Sequence, residues 1–315
     1  MHPFRFGVML ESVRDEHSLR ETVRRAESAG YATVLIRDHF AAEPFGPQLA
    51  PLTALATVAA HSTSLRLGTL VIDNDFRHLA VLAKEIATLD LLSGGRVELG
   101  LGAGWLAAEY HQTGIPFDSP GTRIARLEES IAILKALLSG QSVTFHGEHY
   151  QVTDLENFPT PVQDPHPPLL LGGGAKRMLS LAGREADIIS VLSTSVASGV
   201  QLDAVGERSS ARLAEKVGWI RDAAGDRFES IELSLFPDIL VMDDHITGAR
   251  RFTAARGRDV SPETVLDMPA ILIGTIDRIA EKLQAQRQNL GFSYFVLSDT
   301  DLETAAPLVS RLTGT

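Results

Sequence analysis

The sequence predicts an α/β fold, a (β/α)8 TIM barrel with insertion segments, and three observations lead to this prediction. Short apolar runs alternate with helical patterns from the beginning of the chain to its end. Eight such pairs occupy 315 residues, about 39 residues per unit (315/8). No internal repeat or linker divides the chain, so we expect a single domain over residues 1–315. Repeated βα units favour a parallel sheet, and eight of them favour a closed barrel over a doubly wound sheet.

The first four units are read from apolar runs that are short enough for buried parallel strands. The helices between them place apolar residues at a spacing of three or four, as Leu19, Val23 and Ala26 do in the first. The predicted strands are 4–10, 33–39, 65–72 and 96–105, and the predicted helices are 18–29, 51–62, 79–92 and 122–138.

The second half resumes the same alternation after an inserted segment. Residues 143–152 alternate about a central glycine, which predicts a small hairpin outside the barrel rhythm. The predicted strands are then 168–172, 186–192, 232–241 and 292–298, and the predicted helices are 175–183, 207–223, 245–255, 275–289 and 302–312.

Composition excludes several classes of function. The net charge is −11, from 40 acidic and 29 basic residues, so a phosphate backbone would be repelled and nucleic acid is not an expected partner. The absence of cysteine excludes disulfides, thiolate zinc sites and cysteine nucleophiles. No apolar run approaches the roughly 18 residues of a membrane span, and the amino terminus lacks a signal-peptide pattern. We therefore expect a soluble, cytoplasmic protein.

The segment that ends the fourth strand is a candidate ligand site. It reads Gly102-Ala103-Gly104-Trp105, and glycine lets a flat ring approach the backbone because it has no Cβ. The indole of Trp105 is suited to form a wall for a planar ligand. Two alternatives remain open here: a tight turn with nothing bound, and a tryptophan that only fills the barrel rim.

In a barrel of this class, functional residues lie at the carboxyl ends of the strands. The second strand ends at Asp38 and His39, an aspartate next to an imidazole that suits general acid–base catalysis. The alternative is an aspartate that caps a loop and a histidine that packs there. Thr69, on the third strand, either hydrogen-bonds a ring carbonyl or satisfies its own backbone.

The fifth strand runs into a glycine-rich turn, Gly172-Gly173-Gly174-Ala175, with Lys176 and Arg177 directly after it. Free N–H groups at a helix start, next to two cations, predict an anion site. Phosphate sites in barrels more often follow strands seven and eight, and a plain turn is the alternative. His146 and His149 point to opposite faces of a hairpin, which argues against a metal site. No P-loop and no nucleophile-elbow motif occurs.

Taken together, these motifs resemble the luciferase-like monooxygenase superfamily, and within it the deazaflavin (coenzyme F-420)-dependent oxidoreductases. The long block around the fourth strand is the most specific part of the resemblance, and the likeness is good from residue 4 to about 192. The matching stretches are Arg37–Phe40, Leu67–Val71, Ala87–Val97, Leu99–Trp105, Glu109–Tyr110, Gly114–Phe117, Arg126–Glu129, Leu170–Gly174 and Ala186–Ile189.

The resemblance implies that a flavin or deazaflavin lies across the barrel mouth. It implies a bulge with a non-proline cis peptide at Leu70–Val71 behind the ring, and Asp38 and His39 beside the ring. Other positions implied to bind the cofactor lie near the ring, near the cofactor chain and around its phosphate: Thr69, Ala103, Gly104, Trp105, Tyr110, Gly172, Gly173, Gly174 and Ala175. Some members have Thr where Ala103 stands, and sugar-phosphate-specific members carry a catalytic Glu where Trp105 stands. That departure argues against the same sugar chemistry.

The activity that the resemblance implies is hydride transfer between C5 of coenzyme F-420 and a small organic substrate, with His39 as proton donor or acceptor. Two alternatives are retained. One is an FMN-dependent monooxygenase supplied by a separate flavin reductase, and the other is a non-catalytic flavin-binding protein. A homodimer is the assembly that the resemblance implies.

Overall fold

The predicted barrel strands form one parallel sheet that closes on itself. The structure is a computed structural model that describes residues 1–193, 195–197, 200–202, 205–256 and 260–315, with backbone only for 195–197 and 200–202. Its strands are β1 (Arg5–Met9), β2 (Thr33–Ile36), β3 (Arg66–Thr69), β4 (Ile72–Asp73), β5 (Val97–Gly102), β6 (Val143–His146), β7 (Gln151–Leu155), β8 (Leu169–Gly173), β9 (Ile188–Val191), β10 (Ser195–Ala197), β11 (Val200–Leu202), β12 (Glu232–Leu235), β13 (Asp238–Val241), β14 (Ile271–Gly274) and β15 (Phe292–Ser298).

The helices of the described residues cover the outside of this sheet and alternate with its strands. They are α1 (Glu16–Ser28), α2 (Pro51–His61), α3 (Leu79–Ser93), α4 (Ala107–Thr113), α5 (Pro120–Leu138), α6 (Lys176–Glu185), α7 (Ser210–Ala224), α8 (His245–Ala255), α9 (Pro262–Asp267), α10 (Ile276–Leu290) and α11 (Leu302–Leu312). None of these helices is both long enough and apolar enough to cross a membrane.

Eight strands make the barrel wall, in the order β1, β2, β3, β5, β8, β9, β12, β15 and back to β1. The ring is completed where Leu67 pairs with Val97 between β3 and β5. All these pairings are parallel, so the carboxyl ends of the eight strands meet at one rim. The predicted fold class is confirmed, and we call this rim the mouth.

Three smaller two-stranded sheets are added to the barrel: β6–β7, β10–β11 and β13–β14. The first is the predicted hairpin. The prediction of one strand over 232–241 is wrong, because β12 ends at Leu235 and β13 begins at Asp238. Pro237 lies between them and has no N–H with which to continue the hydrogen-bond ladder. The second half pairs instead with β14, a strand that we did not predict.

Packing divides the buried apolar residues into three clusters. The largest fills the space between the barrel and its helices, from Phe4 to Leu312. A second lies among inward-facing side chains of the barrel and includes Met9 and Leu170. The third joins α8, α9 and β14, and includes Phe252 and Met268; we call it the satellite cluster. The prediction of a single domain stays a prediction.

Ionised side chains fill the amino-terminal end of the barrel. Arg5 donates to Glu98 over 2.6 Å and to Glu232 over 2.5 Å, and Arg66 also reaches Glu98 over 2.6 Å. Burial alone would lower the pKa of Arg5, but its neighbours Glu98, Tyr294 and Glu232 raise it above the ordinary value. The charges compensate one another, so this end is closed by ion pairs.

Candidate active site

The two predicted glycine clusters lie side by side at the mouth. Strand β5 pairs with β8 so that Leu101 lies opposite Leu171, and the glycines of both strands follow directly. A Cβ on Gly102 would lie 2.5 Å from Cγ2 of Val71, and one on Gly172 would lie 3.5 Å from Cγ1 of the same side chain. Side chains at these two positions would therefore crowd Val71, and glycine leaves that space open. The two glycine clusters lie at the same rim, as expected if both contact one ligand.

The bulge implied by the resemblance is present after β3. The peptide between Leu70 and Val71 is cis, and both side chains pack on the cluster inside the barrel. Thr69 does not extend toward the mouth, because its hydroxyl donates to the carbonyl of Gly100 and accepts from its N–H, each over 2.9 Å. Its contacts match the backbone-satisfying alternative.

His39 has a buried carboxylate partner that sequence reasoning did not identify as such. Its Nδ1 lies 2.9 Å from Oε2 of Glu109, whose side chain is 2% exposed. The other oxygen of Glu109 accepts from the backbone N–H groups of Phe40 and Ala41, over 2.6 and 2.8 Å. A carboxylate in this position is an acceptor, so the proton lies on Nδ1 and Nε2 is the nitrogen available to a substrate.

The predicted pairing of Asp38 with His39 is wrong. Both residues follow the end of β2 at Ile36, and their side chains contact different partners. Asp38 pairs with Arg77 and accepts from the backbone N–H of Asp73 over 3.2 Å. Asp38 therefore fixes the loop after β4, and Glu109, on α4, orients the imidazole.

Tyr110 was predicted to flank the cofactor chain, but its side chain is fully buried. Its hydroxyl lies 2.9 Å from Oδ2 of Asp73 and 3.1 Å from Oδ2 of Asp75. Burial, reinforced by Asp75 and Asp38, raises the pKa of the Asp73 carboxyl to about 7. Burial and the two carboxylates likewise raise the pKa of Tyr110. Tyr110 thus packs beneath the mouth and stabilises the segment Asp73–Asp75 through its hydroxyl.

The loop that follows β5 packs against Asp73 and Tyr110 on one side and is hydrogen-bonded by Arg123 of α5 on the other. Gly104 has φ +69°, and a Cβ there would lie 2.5 Å from Oδ2 of Asp73, so the position needs glycine. Arg123 donates to the carbonyls of Ala103, over 3.1 Å, and of Gly104, over 3.4 Å. The backbone next to the predicted ring site is therefore fixed from two sides.

Aromatic rings surround the imidazole on its exposed side. The ring of Phe45 is 4.8 Å from that of His39, and the ring of Trp105 is 6.1 Å from it, edge to face. Phe45 and Trp105 are 6.2 Å apart. We call these three rings the aromatic corner. Trp105 was predicted as a wall, whereas Phe45 lies in a loop whose sequence gives no signal of its role.

The predicted anion site is formed by the end of β8 and the start of α6. Ala175 caps the helix through its backbone only, and the first turn contains Lys176 and Arg177 with no acidic residue. Both cations are exposed, and neither forms an ion pair with the side chains that the structure describes. Cations at a helix amino terminus oppose the helix dipole, so an anion bound there would compensate both.

Glu109 is the principal residue that sequence reasoning missed. It stands in the matched pair Glu109–Tyr110, but no local pattern connects it to a histidine 70 positions earlier. For metals, the described residues contain no cluster of three or more potential ligands. His146 hydrogen-bonds Gln151 instead, over 2.8 Å.

Comparison with known proteins shows which family and which characterised enzymes this chain is similar to. A family profile described as luciferase-like monooxygenase matches residues 1–245. An F-420-dependent glucose-6-phosphate dehydrogenase of Amycolatopsis mediterranei is 34% identical over 172 residues, 54% of this chain and 51% of the relative. An FMNH2-dependent dimethylsulfone monooxygenase of Pseudomonas putida is 34% identical over 108 residues, 34% of this chain and 30% of the relative. The chain thus matches about half the length of the first relative and less of the second.

Among solved structures, the coenzyme F-420-dependent tetrahydromethanopterin reductase of Methanopyrus kandleri superposes with a TM-score of 0.76. The superposition covers 99% of both chains at 18% identity. At that identity the likeness concerns the fold, which is the closed barrel described above.

Proposed function

This chain belongs to the luciferase-like monooxygenase family, and we propose that within it the protein is a coenzyme F-420-dependent oxidoreductase. The proposed reaction is transfer of a hydride between the deazaflavin and a small organic substrate, with His39 as proton donor or acceptor. The observation that carries the proposal is the His39–Glu109 pair at the same rim as the two glycine clusters.

The residues at the mouth fit a phosphate-tailed tricyclic cofactor. Gly102 and Gly172 leave space above Val71 that side chains at these positions would reduce, which suits a flat ring. The exposed cations of α6, Lys176 and Arg177, suit the phosphate. A bound deazaflavin would supply or accept a hydride at C5, where carbon in place of nitrogen disfavours oxygen activation.

The protein's own contribution is to place a proton and to exclude water. Glu109 fixes the tautomer of His39, so that Nε2 exchanges a proton with the oxygen of an alcohol or carbonyl substrate. Phe45 and Trp105 limit access of water to the imidazole, which is 13% exposed. Glu109 is a positioning residue, and His39 is the proposed catalytic residue.

An FMN-dependent monooxygenase with a separate reductase is the second candidate, supported by the similarity to the dimethylsulfone monooxygenase. It would use the same groove, so only the cofactor separates the two proposals. The predicted homodimer and cytoplasmic location stay predictions.

Titration of the purified protein with F-420 and with FMN tests the proposal. We expect F-420 to bind at least about tenfold more tightly, which corresponds to about 1.4 kcal/mol. Preferential binding of FMN would favour the monooxygenase. Unchanged turnover in a His39→Ala variant would contradict the proposed acid–base role, and cofactor binding with no turnover in the unchanged protein would favour a binding protein.

A further inference from the structure

The aromatic corner also bears on which substrates the mouth accepts. We propose that the substrate is an uncharged alcohol or ketone with an aromatic ring next to the reacting carbon. This inference rests on the proposed function, because it takes His39 as the group that meets the substrate oxygen. It goes further by assigning the corner formed by His39, Phe45 and Trp105 to the substrate's ring.

The geometry of the three rings supports this assignment. Phe45 is inclined by 33° to the imidazole, whereas Trp105 presents itself nearly perpendicular to it, at 84°. The two apolar rings form an angle of 72° with each other. Phe45 and Trp105 contact each other, so a substrate that places its oxygen at Nε2 of His39 would have its adjacent carbon atoms beside this pair of rings and not between them. An aromatic substituent there can make the face and edge contacts that aromatic rings favour.

The basic side chains around this corner are already engaged, which disfavours an anionic substrate. Arg37 pairs with Glu11, and its guanidinium lies 4.5 Å from the ring centre of Phe45 and 5.0 Å from that of Phe236. Arg77 pairs with Asp38, and Arg123 is held by backbone carbonyls. A phosphate here would have to break an existing ion pair.

Two segments lie outside the described side chains, 194–204 and 257–259, and the second contains one cation, Arg258, beside one acidic residue, Asp259. The segment 194–204 contains no lysine, arginine or histidine. Lys176 and Arg177 belong to the start of α6, where the proposed function requires them for the cofactor, and Arg14, in the loop after β1, donates to the carbonyls of Glu11 and Val13. The described cation that contacts Phe45 is Arg37, and its guanidinium is already paired with Glu11.

The reaction balances for a ketone substrate. The ketone carbon gains a hydride from reduced F-420, which is thereby oxidised, and the ketone oxygen gains the Nε2 proton of a His39 that carries a proton on both ring nitrogens. The product is a secondary alcohol, and His39 recovers its proton from solvent.

Binding of a substrate at the aromatic corner can be measured without turnover, through the fluorescence of Trp105. The chain has two tryptophans, and Trp219 lies on α7, where it contacts Arg212. A Trp219→Phe variant therefore leaves Trp105 as the single tryptophan, which can be excited selectively over tyrosine. We would titrate this variant, with and without F-420, using acetophenone, acetone and glucose 6-phosphate. Acetophenone should quench Trp105 at a concentration at least about tenfold lower than acetone, and glucose 6-phosphate should not quench it.

Truncation of the corner tests the assignment to particular residues. Phe45→Ala, with Phe45→Leu as a milder variant should the first not fold, is expected to reduce the preference for acetophenone over acetone by about three- to tenfold. The preference is measured both as quenching and as kcat/KM for oxidation of reduced F-420. Phe158→Ala is the matched control, because Phe158 is a 64% exposed phenylalanine whose carbonyl contacts α3.

The outcomes separate the two proposals. Failure of F-420 to bind would overturn the proposed function. Tight F-420 binding together with equal affinity for acetone and acetophenone, or with quenching by glucose 6-phosphate, would overturn the aromatic-substrate inference alone. An unchanged preference in both Phe45 variants would also overturn it.

Discussion

The two ends of this barrel both bury charged groups, but the partners are arranged differently. At the amino-terminal end, Arg5 and Arg66 meet Glu98 and Glu232, so each charge has an opposite charge in contact. At the mouth, one carboxylate engages only one nitrogen of His39 and leaves the other available. Full compensation gives a rigid closure, and half compensation leaves one atom free for chemistry. Substitutions at the two ends should therefore affect different properties.

The largest expected effect is at the mouth. His39→Ala removes the proposed proton donor, and we expect kcat to fall by about 10²- to 10⁴-fold. Glu109 keeps the backbone N–H groups of Phe40 and Ala41 as partners, so the loss of stability should be smaller than that expected for Glu98→Gln, and the affinity for F-420 should change less than kcat. Steady-state kinetics and a cofactor titration measure both. A loss of stability in place of activity would break the comparison.

The opposite pattern is expected at the amino-terminal end. Glu98→Gln leaves Arg5 and Arg66 short of a buried counter-charge, and we expect the free energy of unfolding to fall by about 3 kcal/mol. Denaturant unfolding measures it, with Glu229→Gln, at an exposed position, as control. The kcat of the folded fraction should stay within about twofold of the unchanged protein, and a larger loss would contradict the separation of roles.

The buried carboxyl of Asp73 makes the free energy of unfolding depend on pH. In the folded protein Asp73 keeps its proton up to a pKa of about 7, whereas in the unfolded chain the carboxyl loses it near the ordinary aspartate pKa of 3.8. The stability from this group is thus complete below about pH 4 and is lost as pH rises through about 7.

We expect this loss to be about 2–4 kcal/mol, at roughly 1.4 kcal/mol per pKa unit, and to be absent in Asp73→Asn. Denaturant unfolding between pH 4.5 and pH 8 measures the difference, with the exposed Asp222→Asn as control. Parallel pH profiles for the unchanged protein and Asp73→Asn would refute the assignment.

Glu109→Gln tests whether the carboxylate on Nδ1 of His39 matters for activity. Glutamine retains one acceptor oxygen but not the charge, so the orientation and tautomer of His39 are less well fixed. We expect kcat to fall by about 10- to 100-fold with KM nearly unchanged, and Glu109→Asp to recover part of the loss. A change confined to KM or to stability would indicate a purely structural role.

The smallest expected effect concerns the glycines that lie next to Val71. A Cβ on Gly172 would meet Val71 at 3.5 Å, an ordinary contact, so Gly172→Ala should fold normally. The added methyl would reduce the space for a ring, and we expect F-420 to bind about tenfold more weakly. Gly218→Ala is the control, because its Cβ would meet no atom within 4 Å. Equal cofactor affinity in both variants would remove the glycines from the site.

The barrel could be predicted because the spacing of apolar residues is visible within each short segment. Contacts between side chains across the mouth join residues far apart in the chain and could not be predicted in this way. All eight wall strands follow from apolar runs. Strand β14 was missed because Ile271–Gly274 is only four residues between two helical patterns. The break at Pro237 had a local signal, since proline cannot continue a ladder.

The partner of His39 depended on topology. Asp38 is its neighbour in sequence, but the carboxylate of Asp38 pairs with Arg77, and Glu109 reaches the imidazole from α4. Phe45 reaches it from a loop. Such contacts become visible only when the elements are assembled in space.

The satellite cluster gives the chain a natural point for recombination. The cluster packs α8, α9 and β14 around its own apolar centre, and β13 pairs with β14 and with no strand of the barrel wall. A module of this kind, exchanged between homologues at Pro237 and Thr275, would bring its own buried contacts with it. Chimeras made at these two positions would thus diversify one side of the mouth while the eight-stranded wall keeps its hydrogen bonds.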